Sequence, residues 1–512
     1  MKKLFPLLLF LLIAVSATAQ ETYFQENNIW YRVLTNAAEK SYDASHNEVA
    51  VTRPNGSSFD IYPDGSTINV PSTVTHAGTT YTVTYIDDEA FQKTKLASLT
   101  LPPSILKSGD RILENAKLKQ FHTPENLEVL PSYFVWIGEI DELWLSPNIK
   151  EIGTYAFAYV TIKRVHGLAQ TKLEKLGNVD NFGSLAGFCF ANYQYLPAAD
   201  QAAYINDLSV LPPTVRRIGI MALNGENVGD PQFPLSNYTV PAIIEEIGDC
   251  NFDVSDRVTV PHTTPFTLGV NAFGTQPTLK IFVPIDCSAA YKVAENWSSY
   301  SDKIREELSI GPSGYTTYYL ENENFLVPDG CTAYIITGVT PSGNIATPDN
   351  AIVKAFTAGK IIPKQTGFIL QGTPNSTVVY QANVTGIEED VTGNLLVGTA
   401  TEREISGAGY KYYVLSNSGD QGLGFYKQGT RGGASIKLKA HRAGLRLTES
   451  IARAKSFFID FDAARENANV AGIRNIGQEA EGRDNVIYDL QGRRVKNPTH
   501  GIYIINGKKV IK

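Results

Sequence analysis

The most regular feature of the chain is an apolar pattern that repeats every 22 residues between Leu96 and Val165. Each copy holds two apolar residues separated by two positions, and the pairs are Leu96 with Leu99, Leu118 with Phe121, Ile140 with Leu143 and Ile162 with Val165. A fixed period of this length is typical of a solenoid, because a single coil cannot bury its own apolar side and must stack on its neighbours. The pattern predicts stacked coils with one short strand in each.

Further apolar columns lie outside these strands. At the same spacing they are Ile86, Leu130 and Ile152, interrupted by Ser108; Ala90, Ile112, Phe134 and Ala156; and Phe91, Leu113, Val135 and Phe157. Such columns predict a core that runs from coil to coil. Looser copies follow at 211–219, 240–252 and 260–273, and an insertion at 176–207 interrupts the period.

The clearest copies combine Ile86 with Ala90-Phe91, and Ile152-Gly153 with Ala156-Phe157, each preceded by a strand that ends in Leu-Pro or Ser-Pro. This pattern resembles the BspA-type leucine-rich repeat surface proteins of anaerobic bacteria. The resemblance implies a leucine-rich repeat solenoid that presents a protein-interaction or adhesion surface, with partners on host or bacterial surfaces. It also implies that residues 281–300, including Tyr291 and Trp297, form the unit that closes the array.

The N-terminus has the order of a secretory signal peptide. Met1-Lys2-Lys3 is followed by an apolar run from Leu4 to Val15 and by small residues, which predicts cleavage after Ala19. The mature chain contains no apolar stretch of the roughly 20 residues that a membrane-spanning helix needs. We therefore expect residues 1–19 to be removed and the mature chain to be secreted or held at the outer surface.

Residues 20–80 and the array at 81–308 are predicted to form separate segments. The first alternates aromatic and polar residues in short runs, broken by Asn55-Gly56 and Asp64-Gly65, which are typical hairpin turns. It is predicted to be an N-terminal β cap on the leucine-rich repeat solenoid.

The repeat stops near residue 310, and short strands follow at irregular spacing. They are predicted at 315–320, 332–339, 367–370, 411–415 and 423–426, with Gly, Pro, Asn and Asp between them. Residues 310–470 are therefore expected to form an antiparallel β-sandwich or barrel, so that the whole chain is mainly β. The segment resembles an uncharacterised β domain that is common after such repeats, and that resemblance implies no activity.

A polar stretch at 471–485 is predicted to be a linker, and 486–512 a small C-terminal β module with an Asn506-Gly507 turn. The module resembles the C-terminal sorting domain of the type IX secretion system, which implies export and attachment to the outer membrane. The earlier motif of that domain is not visible here, and a plain terminal hairpin is the alternative.

Composition limits the classes of partner and of chemistry. The formal charge of −7 arises from 52 acidic and 45 basic residues, which argues against nucleic acid as a partner. The four cysteines, Cys189, Cys250, Cys287 and Cys331, are widely spaced and contain no CxxC motif, so free thiols are expected, with one bridged pair as the alternative. No catalytic, nucleotide-binding or metal motif is present, and we predict no catalysis, no cofactor and no metal.

One group of outward positions on the repeat strands is the candidate site for a partner. Because the apolar residues of each strand face the core, their neighbours form two exposed columns: Thr100, His122, Trp144 and His166, and beside it Ser98, Gln120, Glu142 and Arg164. His122 and His166 lie two strands apart, or about 9–10 Å, too far for one metal ion. A tryptophan between two histidines and near an arginine is instead typical of a protein-interaction hot spot. Burial of Trp144 under a loop is the alternative.

The sequence thus predicts an exported or cell-surface binding protein whose partners are proteins or glycans. Two alternatives remain. A structural component of the cell surface is expected to self-associate, whereas a secreted glycan-processing hydrolase needs a pair of carboxylates in an accessible pocket.

Overall fold

The structure is a computed structural model that describes residues 22–54, 61–177, 190, 196–223, 232–343, 347–419, 422–452, 456–466, 468, 487–489, 494–495, 502–505 and 508–511. The described residues divide into two compact units. The first contains the residues up to 258 together with 266–279, and the second contains 259–265 and the residues from 280 onward. The domain boundaries given above stay a prediction.

The first unit is built from short strands and one described helix. The strands are β1 (Tyr23–Glu26), β2 (Ile29–Val33), β3 (Glu48–Thr52), β4 (Ser66–Asn69), β5 (Thr73–His76), β6 (Thr79–Ile86), β7 (Lys95–Thr100), β8 (Lys107–Ser108), β9 (Ala116–His122), β10 (Val129–Leu130), β11 (Gly138–Trp144), β12 (Glu151–Ile152), β13 (Val160–His166), β14 (Lys175–Leu176), β15 (Arg217–Ile218), β16 (Phe233–Thr239), β17 (Glu246–Ile247), β18 (Phe252–Thr259) and β19 (Thr267–Leu268). The helix α1 spans Ala198–Leu208, and a 3-10 turn spans Leu168–Gln170.

Two parallel sheets run along the repeat. The first, which we call the front sheet, has the order β13-β11-β9-β7-β4, and the second, the back sheet, has the order β10-β12-β14-β15-β17-β19. In the front sheet the register pairs Leu99 with Phe121, Phe121 with Leu143 and Leu143 with Val165, which is the predicted spacing of 22 residues. The leucine-rich repeat solenoid is confirmed.

The predicted apolar columns form the core of this unit. Ala90, Ile112, Phe134 and Ala156 are at most 1% exposed, and the same holds for Phe91, Leu113, Val135 and Phe157. Aromatic rings link successive coils, since Phe134 packs against Phe121 at 6.2 Å and against Phe157 at 6.1 Å between ring centroids. Burying such a column stabilises the array, because each coil supplies the apolar surface that covers the next.

The N-terminal segment forms a sheet of its own, with the order β1-β2-β3-β6-β5 and with β8 added beside β6. Its strand β4, however, pairs in parallel with β7 and extends the front sheet by one strand. The sequence did not predict that extension. The Asp64-Gly65 turn is present, with Gly65 at a φ of 76° that favours glycine, whereas Asn55-Gly56 lies outside the described residues.

The second unit is also mainly β. Its strands are β20 (Lys280–Phe282), β21 (Ile304–Ser309), β22 (Tyr315–Tyr318), β23 (Phe325–Leu326), β24 (Thr332–Thr340), β25 (Asp349–Thr357), β26 (Ile361–Ile362), β27 (Phe368–Gln371), β28 (Thr377–Tyr380), β29 (Leu396–Thr399), β30 (Arg403–Ser406), β31 (Tyr410–Gly419), β32 (Gly422–Tyr426), β33 (Ser435–Leu438), β34 (Arg442–Thr448), β35 (Ser456–Ile459), β36 (Ile487–Asp489), β37 (Arg494–Val495), β38 (Ile502–Ile505) and β39 (Lys508–Ile511). Helix α2 spans Ser288–Val293, and 3-10 turns span Trp297–Tyr300 and Gly429–Arg431.

The largest sheet of the second unit has nine strands in the order β22-β27-β24-β25-β35-β32-β31-β34-β29. All five strands predicted in this region are present. The sheet is mixed, because β25 and β35 pair in parallel, whereas a purely antiparallel arrangement was expected. A long stretch of chain separates these two strands, so the second can return in the same direction as the first. The sandwich or barrel arrangement stays a prediction.

The predicted closing unit folds around two aromatic side chains. Tyr291 and Trp297 are each 0% exposed, and their rings meet edge to face with centroids 4.8 Å apart. The Tyr291 hydroxyl donates a hydrogen bond of 2.8 Å to the His262 carbonyl. These contacts fill a compact apolar centre within the second unit.

Several predictions fall wholly or partly outside the described residues. These are the signal peptide at 1–19, the linker at 471–485, the Asn506-Gly507 turn and Cys189. The strands on either side of that turn pair antiparallel, with Ile505 opposite Lys508. Cys250, Cys287 and Cys331 are free thiols.

Candidate functional site

The front sheet places the predicted site residues side by side. Its register pairs Trp144 with His122 on one strand and with His166 on the other. The adjacent column is equally regular, since Gln120 pairs with Ser98 and Glu142, and Glu142 pairs with Arg164. Thr100 follows Leu99, whose partner is Phe121, and so continues the first column beside His122. The predicted geometry of both columns is therefore present in the fold.

Trp144 lies between two stacked imidazole rings. The centroids of His122 and Trp144 are 5.4 Å apart with an interplanar angle of 2°, and those of Trp144 and His166 are 4.0 Å apart at 18°. Trp144 nevertheless remains 39% exposed. Because both faces of the indole are covered, the exposed part is its edge, and the ring is held in one orientation before any partner arrives. We call this group the His–Trp–His stack.

The two histidines differ in their surroundings. Partial burial, together with the charge that His166 carries when protonated, lowers the pKa of His122. The Nε2 atom of His166 is buried and accepts or donates no hydrogen bond in the described part of the chain. The Glu142 Oε2 atom lies 3.8 Å from it. Partial burial therefore disfavours a positive charge on His122 within the stack.

Arg164 is already paired within the protein. Its Nε atom donates to Asp207 Oδ2 at 2.8 Å and a terminal nitrogen donates to Oδ1 at 3.0 Å. Asp207 Oδ2 also accepts the backbone N–H of Val165 at 3.1 Å. Helix α1 thereby covers the outer edge of β13, which otherwise presents unpaired backbone groups. Arg164 is less available to a partner than its position alone indicated.

The sequence missed two features of this region. Asp207 lies in the insertion, where no period relates it to the repeat. A group of stacked aromatic rings with an arginine beside them, located at the turns, was also missed. Its residues Arg111, Tyr133 and Tyr155 lie 22 residues apart. The Tyr133 and Tyr155 rings stack at 5.1 Å, and the Arg111 guanidinium lies 4.8 Å from the ring centre of Trp136. A search of the turn positions for aromatic columns finds this group.

The described residues contain no group of three or more His, Cys, Asp or Glu side chains that could hold a metal ion. Three acidic residues of the second unit, Asp286, Glu306 and Glu323, are buried, with exposed fractions of 9%, 0% and 1%. Carboxylates buried to this degree offer no access to a glycan. Within the same part of the chain, no helix is both long enough and apolar enough to cross a membrane.

Part of the repeat array matches a known family model. Residues 72–179 match the model of the BspA type leucine-rich repeat region in six copies. No curated relative matches the chain.

Three solved structures are similar in part. A leucine rich cell surface protein from Faecalibacterium prausnitzii A2-165 is 15% identical, with 52% of this chain and 77% of that chain covered and a TM-score of 0.24. The pneumococcal vaccine antigen PcpA is 16% identical, with 51% and 81% covered and a TM-score of 0.20. A leucine-rich repeat protein from Bacteroides ovatus ATCC 8483 is 15% identical, with 54% and 80% covered and a TM-score of 0.23.

Proposed function

We propose that the chain, whose residues 72–179 form a BspA-type leucine-rich repeat region, is an exported surface protein that binds other proteins through the front sheet. The observation that supports the proposal most directly is the exposed His–Trp–His stack at the centre of three adjacent strands. No chemical step is part of the proposal. Binding rests on shape and on aromatic contact, with hydrogen bonds from the neighbouring column.

The stack has the physical properties of an interaction anchor. Tryptophan offers a large contact area, and its position between two rings lowers the entropy that is lost when a partner immobilises it. The neighbouring Gln120 and Glu142 supply hydrogen-bonding groups at the border of the aromatic surface. This combination of an apolar centre and a polar border is the usual anatomy of a protein interface.

Replacement of Trp144 by alanine is expected to weaken partner binding by about thirtyfold, which corresponds to the roughly 2 kcal/mol of an interface hot spot. The full mature chain is tested against an array of extracellular matrix proteins and surface glycans, and the affinity of each positive spot is measured by surface plasmon resonance. Tyr42→Ala is the matched control, because Tyr42 is 50% exposed and also packs against a histidine, His46, but lies off the front sheet.

Equal loss of binding in the Trp144→Ala and Tyr42→Ala variants contradicts a site on the front sheet. A chain that binds no protein or glycan but sediments as a defined oligomer favours the structural alternative. In that case the Trp144→Ala variant shows whether the stack mediates contact between copies.

Export is part of the proposal and is supported by the order of residues 1–19. N-terminal sequencing of the protein recovered from the cell surface is expected to begin at Gln20, since cleavage follows Ala19. A recovered chain that begins at Met1 contradicts the signal peptide. The C-terminal module at 486–512 is proposed to direct transport across the outer membrane.

A further inference from the structure

One backbone hydrogen bond recurs along the back sheet and also joins β8 to β6. In each regular rung, meaning the contact between the equivalent short strands of two successive coils, a glycine N–H donates to the carbonyl of an apolar residue on the preceding coil. The donors and acceptors are Gly109 to Ile86 at 2.7 Å, Gly153 to Leu130 at 2.8 Å, Gly177 to Ile152 at 2.8 Å, Gly219 to Leu176 at 2.7 Å, Gly248 to Ile218 at 2.8 Å and Gly269 to Ile247 at 2.7 Å.

One rung departs from this rule. The residue that corresponds to Gly109 and Gly153, 22 residues from each, is Pro131, which has no N–H to donate. The carbonyl that it faces belongs to Ser108, the one polar residue in the column of Ile86, Leu130 and Ile152. At this rung the ladder stops, since among the described strands β8 pairs with β6 alone and β10 pairs with β12 alone.

The glycines of the column also have a steric role. A Cβ atom added to Gly153 would lie 2.6 Å from the Ser132 nitrogen and 2.8 Å from the Pro131 carbonyl carbon. Coils at a regular rung approach this closely only because the side chain is absent. Pro131 carries a ring where the regular rungs have no side chain, and β10 is not paired with β8 at this position.

A second backbone bond is lost at the same rung. Elsewhere Lys150 N–H donates to the Glu128 carbonyl at 2.7 Å and Leu106 N–H donates to the Thr84 carbonyl at 3.1 Å. Among the described residues, no corresponding bond joins Glu128 N–H to the Leu106 carbonyl. The two facing strand edges therefore retain backbone donors and acceptors that neighbouring rungs use for each other.

The opening is local, because the same two coils stay joined on either side of it. Leu99 still pairs with Phe121 in the front sheet, and Arg111 N–H donates to the Tyr133 carbonyl at 2.7 Å. Between these contacts lies a groove of about 750 Å³, which we call the Pro131 groove. Its walls include Tyr85, Leu106, Lys107, Glu128, Val129 and Pro131.

We propose that the Pro131 groove binds an extended peptide segment of a partner protein, whose backbone pairs with the open edges of β8 and β10. Addition of a strand to an exposed sheet edge is a general mode of peptide recognition, in which the backbone provides affinity and alternate side chains provide specificity. The groove offers what that mode requires, namely backbone groups on both walls and a volume within the roughly 300–1,000 Å³ of ligand sites.

The side chains of the groove favour an apolar residue on the peptide. Val129 is 46% exposed at the groove wall, an unusual position for valine, and Tyr85 lines the same space. The charged groups are already engaged: Lys107 Nζ donates to the Ala38 carbonyl at 2.9 Å, and Lys150 Nζ donates to Glu128 Oε2 at 2.8 Å. Recognition in this groove is therefore expected to depend little on salt concentration.

The test compares the full mature chain with its Pro131→Gly variant. A phage-displayed library of random linear peptides is selected on the wild-type chain. Each peptide has about twelve residues and is about 40 Å long when extended. Peptides that emerge are synthesised and their affinities are measured by isothermal titration calorimetry. Pro131→Gly restores the residue that closes the other rungs, so the variant is expected to fold at least as stably and to bind these peptides about tenfold or more weakly.

Two further variants separate this site from the front sheet and from a folding defect. Val129→Arg fills the groove with an exposed side chain and is expected to give the same loss of binding, whereas Trp144→Ala is expected to leave peptide binding unchanged. Methylation of alternate backbone amides of a bound peptide is expected to abolish its affinity. The proposal is overturned if selection yields no peptide, if the peptides bind Pro131→Gly and Val129→Arg as tightly as wild type, or if methylation has no effect.

Discussion

Replacement of Asp87 by alanine is expected to lower the free energy of unfolding of the first unit by about 3–5 kcal/mol, the usual effect of removing one partner from a buried ion pair. Asp87 lies at the end of the first repeat rung and receives two hydrogen bonds from Arg32 of β2, at 2.8 Å from Nε and at 2.6 Å from a terminal nitrogen. The exposed fractions of Arg32 and Asp87 are only 7% and 9%.

The effect is large because the arginine cannot lose its charge when its partner is removed. The hydrogen bonds that Arg32 donates to Asp87 raise the pKa of Arg32 far above its ordinary value, with a further contribution from Glu39 and despite the opposing effect of burial. Without Asp87 the guanidinium stays charged and buried, although Glu39 Oε2 still lies 3.1 Å from one of its terminal nitrogens. The N-terminal sheet is thus attached to the first repeat by a contact that is costly to break.

Urea unfolding followed by circular dichroism measures this change. The control is Asp64→Ala, which removes the partner of Lys95 from a pair whose side chains are 65% and 56% exposed. An exposed pair contributes about 0–1 kcal/mol, so the control is expected to unfold almost as the wild type does. A loss of stability in Asp87→Ala that is no greater than in Asp64→Ala contradicts the proposed attachment.

The parts of the fold that could be predicted from the sequence are those governed by the period. A spacing of 22 residues fixes which side chains stack, so it correctly predicts that the columns containing Phe91 and Phe134 lie in the core. The same rule placed His122, Trp144 and His166 in one row. Their parallel stacking, by contrast, depends on side-chain rotamers, about which a sequence period gives no information.

Contacts made by non-repeating segments could not be predicted in this way. Asp207 belongs to a helix in an insertion, and its pairing with Arg164 depends on how that helix lies on β13. The effect of Pro131 was partly predictable. Ser108 interrupts its apolar column in the sequence, whereas no prediction was made for Pro131. Ser108 and Pro131 lie on successive coils and face each other between β8 and β10. The missing hydrogen bond between these strands therefore becomes evident only when the two coils are aligned.

The second unit was harder to predict, because its strands have no common period. Each strand could be recognised from alternation and turns, yet pairing between distant strands depends on the path of the chain. The parallel pairing of β25 with β35 illustrates the point, since about a hundred residues separate them in the sequence. The burial of the Glu323 carboxyl group could likewise not be predicted, because it depends on contacts between residues that are distant in the sequence.

Glu306 and Glu323 are both buried but have different hydrogen-bond partners. Glu306 accepts hydrogen bonds from the Ser288 hydroxyl at 2.7 Å, the Tyr380 hydroxyl at 2.5 Å and the Asp286 N–H at 3.0 Å. Glu323 accepts one, from the Ala289 N–H at 2.6 Å, and its second oxygen has no partner in the described part of the chain. Glu323 lacks the hydrogen-bond donors that would stabilise a buried negative charge, so it has the environment of a neutral acid.

Burial, followed by the nearby charge of Glu306, raises the pKa of Glu323 to about 9. The pKa of this carboxyl group is higher in the folded chain than in the unfolded chain. Such a group stabilises the folded state when the pH is below its unfolded-state pKa, and this stabilisation is lost as the pH rises through its folded-state pKa. Between about pH 4.5 and pH 9 the folded chain keeps a proton that the unfolded chain releases. Within this window each pH unit costs up to about 1.4 kcal/mol of stability.

Glu323→Gln is therefore expected to unfold at higher urea concentration than the wild type at pH 8 to 9, and to lose most of the pH dependence of the second unit. Glutamine is neutral at every pH, nearly the same size, and keeps an oxygen that can accept the Ala289 N–H. The control is Glu295→Gln, which neutralises an exposed carboxylate of the same unit and is expected to leave the pH profile unchanged. Urea midpoints measured from pH 5 to pH 9 decide between the two outcomes. If Glu323→Gln and the wild type lose stability in parallel as the pH rises, the proton is not held at Glu323, and its carboxyl is ionised within the core.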